Sequence, residues 1–131
     1  MADNEWALDG TMEETDAGWR LVAGRCAACA KLTFPRPKVC SACWSEAIEP
    51  AHLSTEGELY TFTVVHASRP GWRAPYMLGY VDLPEGVRVC APIDARADQP
   101  AAIGAKVRLV AGVLRTNQDG GPVLSHRFEI M

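Results

Sequence analysis

Nothing in this 131-residue chain is apolar over the ~18–20 consecutive residues that a membrane-spanning helix requires. The opening Met1-Ala2-Asp3-Asn4-Glu5 is acidic, not basic and then apolar, so no secretory leader is read there and the cytoplasm is the expected compartment. Histidine is scarce: only His52, His66 and His126. No Gly-x-Ser-x-Gly elbow is available to present a serine nucleophile, and the glycines lie apart or in turns instead of forming a phosphate-cradling loop. Cys90, between Val89 and Ala91, is expected to act as a small buried hydrophobe, and no base can be set beside it from the sequence. His126 alternates with Leu124 and Phe128, which predicts a core or groove residue on their shared face. His52 falls in a connector with no cluster around it.

A general basic excess is missing as well. The net charge is −3. Residues 1–19 hold Asp3, Glu5, Asp9, Glu13, Glu14 and Asp16 with no Lys or Arg. Residues 20–53 hold five basic and two acidic residues, and residues 54–131 hold eight of each. Phosphate neutralisation supplies most of the affinity of nucleic-acid binders, so this balance argues against one.

What is present begins with cysteine. Four of the five cysteines form Cys26-Ala-Ala-Cys29 and Cys40-Ser-Ala-Cys43, ten residues apart. Each C-x-x-C step lets two thiolates reach one ion from a tight turn, and two steps complete a tetrahedron, the spacing of a structural zinc ribbon. Two redox pairs or disulfides are the alternative, disfavoured in a reducing compartment. Four thiolates suit iron as well as zinc. A fully cysteine-ligated ion has no open position and is a poor catalyst.

Three segments follow. Residues 1–18 set Trp6, Leu8 and Met12 among acidic residues without a helical stripe, and are expected to be flexible or ordered by a partner. Residues 19–53 form the ribbon, with strands at Trp19–Gly24 and Leu32–Phe34 and with Pro35 and Pro37 stiffening the approach to the second turn. So small a unit buries little apolar surface, so the metal would supply much of its folding energy. From residue 54 the runs Leu59–Val65, Tyr76–Val81, Val87–Ile93, Lys106–Leu114 and Val123–Ile130 are β-branched and aromatic, with Asp119-Gly120-Gly121 as a hairpin turn. Five strands with short turns predict a small barrel. An OB-fold-like Greek key fits the count, and a small open sheet or an SH3-like barrel would fit it too.

Between the first two barrel runs lie His66, Arg69, Trp72, Arg73 and Tyr76, on a path set by Pro70, Gly71 and Pro75. Arginine forks can grip phosphate and aromatic rings can stack on adenine, which would suit a nucleotide-containing ligand such as coenzyme A. The same residue types are enriched in protein interfaces, and a loop packed on the barrel end is the plain alternative.

In order, the Cys26 and Cys29 pair, Leu32–Arg36, Val39–Cys43, Gly57–His66 and Ala74–Gly86 resemble the family of small proteins with a rubredoxin-like zinc ribbon followed by an OB-fold. The resemblance spans residues 19–131. Members often begin with a helix in the part corresponding to residues 1–18, which lies outside the match. The resemblance implies a mainly β protein, an N-terminal zinc ribbon followed by a five-stranded OB-fold-like barrel, with one structural Zn²⁺ on Cys26, Cys29, Cys40 and Cys43. It further implies a non-catalytic accessory subunit, in a hetero-oligomer with a thiolase-like enzyme of acyl-CoA metabolism. Such partners include thiolases, acyltransferases and aldolases of steroid side-chain breakdown, and they carry the catalytic cysteine and histidines. Arg25, Lys31, Arg36 and Lys38 would face either the phosphates of a coenzyme A thioester or an acidic partner surface. The loop with His66, Arg69, Trp72, Arg73 and Tyr76 would be a second contact. A stand-alone acyl-CoA carrier using the barrel groove is the chief alternative. A single-strand nucleic-acid binder and a C-x-x-C redox protein stand behind it.

Overall fold

The computed structural model describes residues 5–7, 10–16, 18–67, 69–95, 98 and 100–131. Ten strands and no helix are found among them: β1 (Glu5–Trp6), β2 (Met12–Thr15), β3 (Gly18–Cys26), β4 (Leu32–Thr33), β5 (Ile48–His52), β6 (Glu56–Val65), β7 (Tyr76–Asp82), β8 (Arg88–Asp94), β9 (Lys106–Thr116) and β10 (Pro122–Ile130).

The last five strands close a barrel. β6, β7 and β8 form an antiparallel meander, with Phe62 opposite Gly79 and Gly79 opposite Ala91. β10 then lies parallel to β8 at Phe128–Ile93, β9 pairs antiparallel with β10, and β9 returns to β6 at Gly57–Val107. The ring order β6-β7-β8-β10-β9 is the Greek-key order of an OB-fold, which removes the open-sheet alternative. A bulge at Tyr60 and the bare Cα of Gly79 let the meander curl. A methyl group on Gly79 would sit 2.8 Å from the Thr61 carbonyl oxygen and 2.9 Å from Ile93 Cγ1.

Period-two alternation fills the interior. Val87, Val89, Ala91 and Ile93 point inward on and just before β8, meeting Leu59, Val81, Val107 and Phe128. By the same parity Cys90 faces outward and is exposed, which corrects its expected burial: neighbours of opposite parity take the core positions.

The ribbon is built on β3, which pairs with β2, β4 and β5. Its Leu21 and Ala23, with Leu53, belong to the same buried cluster as the barrel residues, so one core runs through ribbon and barrel. At roughly 1.5–3 kcal/mol per buried aliphatic side chain, this shared packing ties the ribbon to the barrel.

The described part of residues 1–18 (5–7, 10–16 and 18) is largely in strands where a flexible or partner-ordered segment is expected from the sequence, and no starting helix is found among those residues. β2 pairs with β3, while β1 adds a parallel strand to β10, Glu5 beside Val123 and Trp6 beside Leu124. Trp6 meets Trp19 at 5.3 Å between ring centroids, and Asn117 Nδ2 donates to Glu5 at 3.0 Å. The large indole finds its apolar partner within the chain itself. Leu8 lies outside the described residues.

Candidate metal centre

Two backbone turns of one design bring the four cysteines together. In the first, Ala30 N–H donates to the Cys26 carbonyl at 2.8 Å and Cys26 N–H to that of Lys31 at 2.9 Å. In the second, Trp44 N–H donates to the Cys40 carbonyl at 2.9 Å and Cys40 N–H to that of Ser45 at 2.8 Å. The fifth residue of each turn has a left-handed backbone, φ 68 at Ala30 and φ 67 at Trp44. The four Sγ atoms lie within 4.8 Å of one another. Cys26 and Cys43 approach to 3.4 Å and Cys29 and Cys40 to 3.6 Å. A sulfur tetrahedron around Zn²⁺ with bonds of ~2.3 Å has edges of about 3.8 Å. These separations therefore fit a shared ion and are far longer than the ~2.05 Å of a disulfide.

The electrostatics also fit a cation. The N–H groups of Cys29 and Ala28 favour the Cys26 thiolate and hold its pKa down to about 6 against the opposing effect of burial. Cys40 is lowered chiefly by the N–H groups of Ala42 and Cys43. Ser45 N–H favours the Cys43 thiolate too, yet the neighbouring cysteine sulfurs push Cys43 up to about 12. Four adjacent sulfurs cannot all ionise alone, and a divalent ion supplies the missing charge. Zn²⁺ held by all four has no vacant coordination position, so its contribution is structural.

The basic ribbon residues occupy exposed positions. Lys31 Nζ donates to Ser41 Oγ at 2.9 Å, linking the two turns, and Arg36 Nη2 donates to the Ile48 carbonyl at 3.0 Å. Arg25 and Lys38 are exposed. The loop between β6 and β7 lies on the barrel, apart from the basic group. There Arg69 stacks over Trp72 at 5.2 Å, and Trp72 meets Tyr76 at 5.2 Å with a 32° tilt. Thr116 N–H donates to the Gly71 carbonyl at 2.8 Å, pinning the loop to the end of β9. His66 and Arg73 are exposed, whereas Trp72 and Tyr76 are half-buried.

His126 is a core residue, as its alternation predicts. It is 7% exposed, its Nε2–H donates to the Cys90 carbonyl at 2.9 Å, and the Phe34 ring stands edge-on to it at 5.4 Å. Burial lowers its pKa, outweighing the carbonyl that favours a protonated ring. The imidazole bonds to the main chain of Cys90 while the thiol lies on an outward position, so the two do not form a nucleophile–base pair. His52 ends β5 and meets Glu13 of β2 at 2.6 Å. One feature escapes a reading of the cysteine motif alone: Trp44, directly after the second pair, is 82% exposed. Aligning the two turns would have found it, since Trp44 occupies the place of Ala30.

A ribbon closed by four cysteines, packed on a five-stranded Greek-key barrel, defines the class of zinc-ribbon/OB-fold proteins. Residues 20–49 match the family described as the rubredoxin-like zinc ribbon domain of ChsH2, and residues 51–112 match the C-terminal OB-fold domain of ChsH2. This chain belongs to that family. It is 38% identical over 104 residues to the benzoylsuccinyl-CoA thiolase subunit BbsA of Thauera aromatica, covering 79% of this chain and 72% of the relative. It is 29% identical over 106 residues to a DUF35 domain-containing scaffold protein of Methanocaldococcus jannaschii, covering 79% of this chain and 75% of the relative. Among solved structures it resembles a chain of the Ltp2-ChsH2(DUF35) aldolase, with TM-score 0.67 and 28% identity over 85% of this chain and 84% of that one.

Proposed function

We propose that this chain is a non-catalytic accessory subunit of a thiolase-like enzyme in acyl-CoA metabolism, aiding assembly of the complex. The observation that carries the reading is a metal centre closed by Cys26, Cys29, Cys40 and Cys43, in a chain 38% identical to a thiolase subunit. The zinc holds the ribbon's shape, and the reacting groups belong to the partner. The names of the relatives, a thiolase subunit, a scaffold protein and an aldolase component, support the same role. The cytoplasm suits it, because four thiols stay reduced there.

The proposed contact with the coenzyme A thioester is shared with the partner. Arg25 and Lys38 would supply charge near its phosphates, since Lys31 and Arg36 already donate within the ribbon. The stand-alone carrier is less well supported: Arg69 and Tyr76 already pack on the Trp72 ring that a nucleobase would use.

The test is co-expression with the thiolase-like protein that copurifies with the chain from its native host. A stable hetero-oligomer whose thioester chemistry needs both chains is expected. Titration calorimetry of the isolated chain with coenzyme A thioesters should be silent, and micromolar binding without a partner would favour the carrier.

A further inference from the structure

The tip of the ribbon carries a side chain that the fold does not require. Trp44, at 82% exposure, is the most exposed large hydrophobic residue among those described. Its backbone lies at φ 67, where any residue with a Cβ is disfavoured relative to glycine. The twin position, at φ 68, is filled by Ala30, so the turn itself has no need of an indole. The bond that closes the turn runs from Trp44 N–H to the Cys40 carbonyl at 2.9 Å, and any non-proline residue would make it. A large apolar group on a strained backbone, in a hydrogen-bonded turn next to the four-cysteine cluster, is preorganised to bind. Val39, 40% exposed, lies just before Cys40.

The surroundings select the partner. Between residues 25 and 49 the chain carries Arg25, Lys31, Arg36 and Lys38 against Glu46 and Glu49, while the whole chain is −3. The ribbon tip is thus a basic, aromatic-bearing surface on an acidic protein. The excess of two positive charges is small for binding a phosphate backbone. Single-strand binders also present several stacking rings in a row, and here there is one. Tryptophan and arginine are both enriched at protein interfaces, and tryptophan is a frequent hot-spot anchor.

We infer that Trp44 anchors the ribbon tip to the thiolase-like subunit, its indole entering an apolar pocket whose acidic surroundings complement the net positive charge of residues 25–49. This rests on the accessory-subunit reading and adds to it the face that docks.

The complex is rebuilt from the two purified full-length chains, and its Kd is measured for wild type, Trp44→Gly and Ala30→Gly. Trp44→Gly removes the indole and relieves the backbone, so it should keep its zinc and its melting temperature while binding the partner about 30-fold more weakly. Ala30→Gly relaxes the other turn in the same way and should bind like wild type. A photo-crosslinking residue at position 44 should label the partner, a readout that does not depend on how Trp44→Gly folds. Unchanged affinity with zinc retained, or no crosslink within a formed complex, overturns the inference and leaves the accessory-subunit reading standing. Failure of the wild-type chains to associate overturns both. Binding of a single-stranded oligonucleotide that Trp44→Gly abolishes, with the partner's affinity unchanged, overturns protein docking in favour of nucleic acid.

Discussion

Acidification should weaken this fold through His126, and that part of the loss should vanish when position 126 cannot titrate. The imidazole sits where β8 and β10 have parted: their parallel pairing covers Phe128–Ile93 and Glu129–Asp94 only. At Cys90 the side chain of His126 bridges the seam at 2.9 Å in place of a backbone bond. Burial opposes the imidazolium, so the folded pKa lies below the ordinary 6.5. A group depressed in this way contributes stability that is complete above the unfolded pKa and is lost as pH falls through the folded pKa. The window therefore opens near the unfolded value of 6.5 and runs downward from it. Its slope is at most about 1.4 kcal/mol per pH unit. For a domain of this size that is at most about 5 °C in Tm per unit. The assay is calorimetric melting from about pH 7.5 to 5.5 of wild type and His126→Gln, whose amide can still donate to the Cys90 carbonyl. The variant starts lower because the ring's packing on Phe34 is lost, and the two curves should converge on acidification. Zinc thiolates and surface carboxylates titrate in both proteins and cancel in the difference. Parallel curves would refute the reasoning, and so would an imidazole that titrates at or above 6.5 by NMR.

Other expectations concern the core and the metal. The purified protein should carry one zinc per chain by elemental analysis. Removing it with a chelator should forfeit binding energy on the order of 10 kcal/mol and unfold the ribbon, read as loss of protection of β3 and β5 amides in hydrogen exchange. Phe128→Ala should cost about 3–5 kcal/mol in urea denaturation, because Phe128 is fully buried at the centre of the shared cluster. Gly79→Ala should cost about 1–3 kcal/mol in the same assay, since its methyl would meet the Thr61 carbonyl oxygen at 2.8 Å. Ala30→Gly should change stability by under about 0.5 kcal/mol, as relief of the left-handed backbone offsets the added freedom of the unfolded chain.

The features legible in the sequence were those written in short-range patterns. The expected run Val123–Ile130 differs by one residue from β10, Pro122–Ile130, and the expected Lys106–Leu114 extends to Thr116 in β9. Period-two burial is a local property, which is why these agree. Paired C-x-x-C steps are equally local, so a four-cysteine cluster is legible in the spacing, and the four sulfurs do converge. Cys90 shows the limit of arguing from residue type: the parity of Val89 and Ala91 placed it outward, and the general habit of buried free cysteines suggested the reverse.

The long-range pairings had no sequence signal. The parallel seat of β1 on β10, with Glu5 beside Val123, joins residues more than a hundred positions apart. Parallel pairing needs no turn of its own and so leaves no turn residues to read. The ring order β6-β7-β8-β10-β9, and the sharing of one core between Leu21 and Ala23 of the ribbon and the barrel, depend on how apolar faces meet in three dimensions. The exposure of Trp44 lies between the two groups: aligning the paired turns sets it opposite Ala30, and the fold shows that its indole stands in solvent. The sequence by itself thus determined the strands and the four sulfur ligands, because alternation and spacing act over a few residues. The tertiary structure decided which strands meet, how ribbon and barrel are joined and which side chain the ribbon presents, because burial is settled by the whole chain at once.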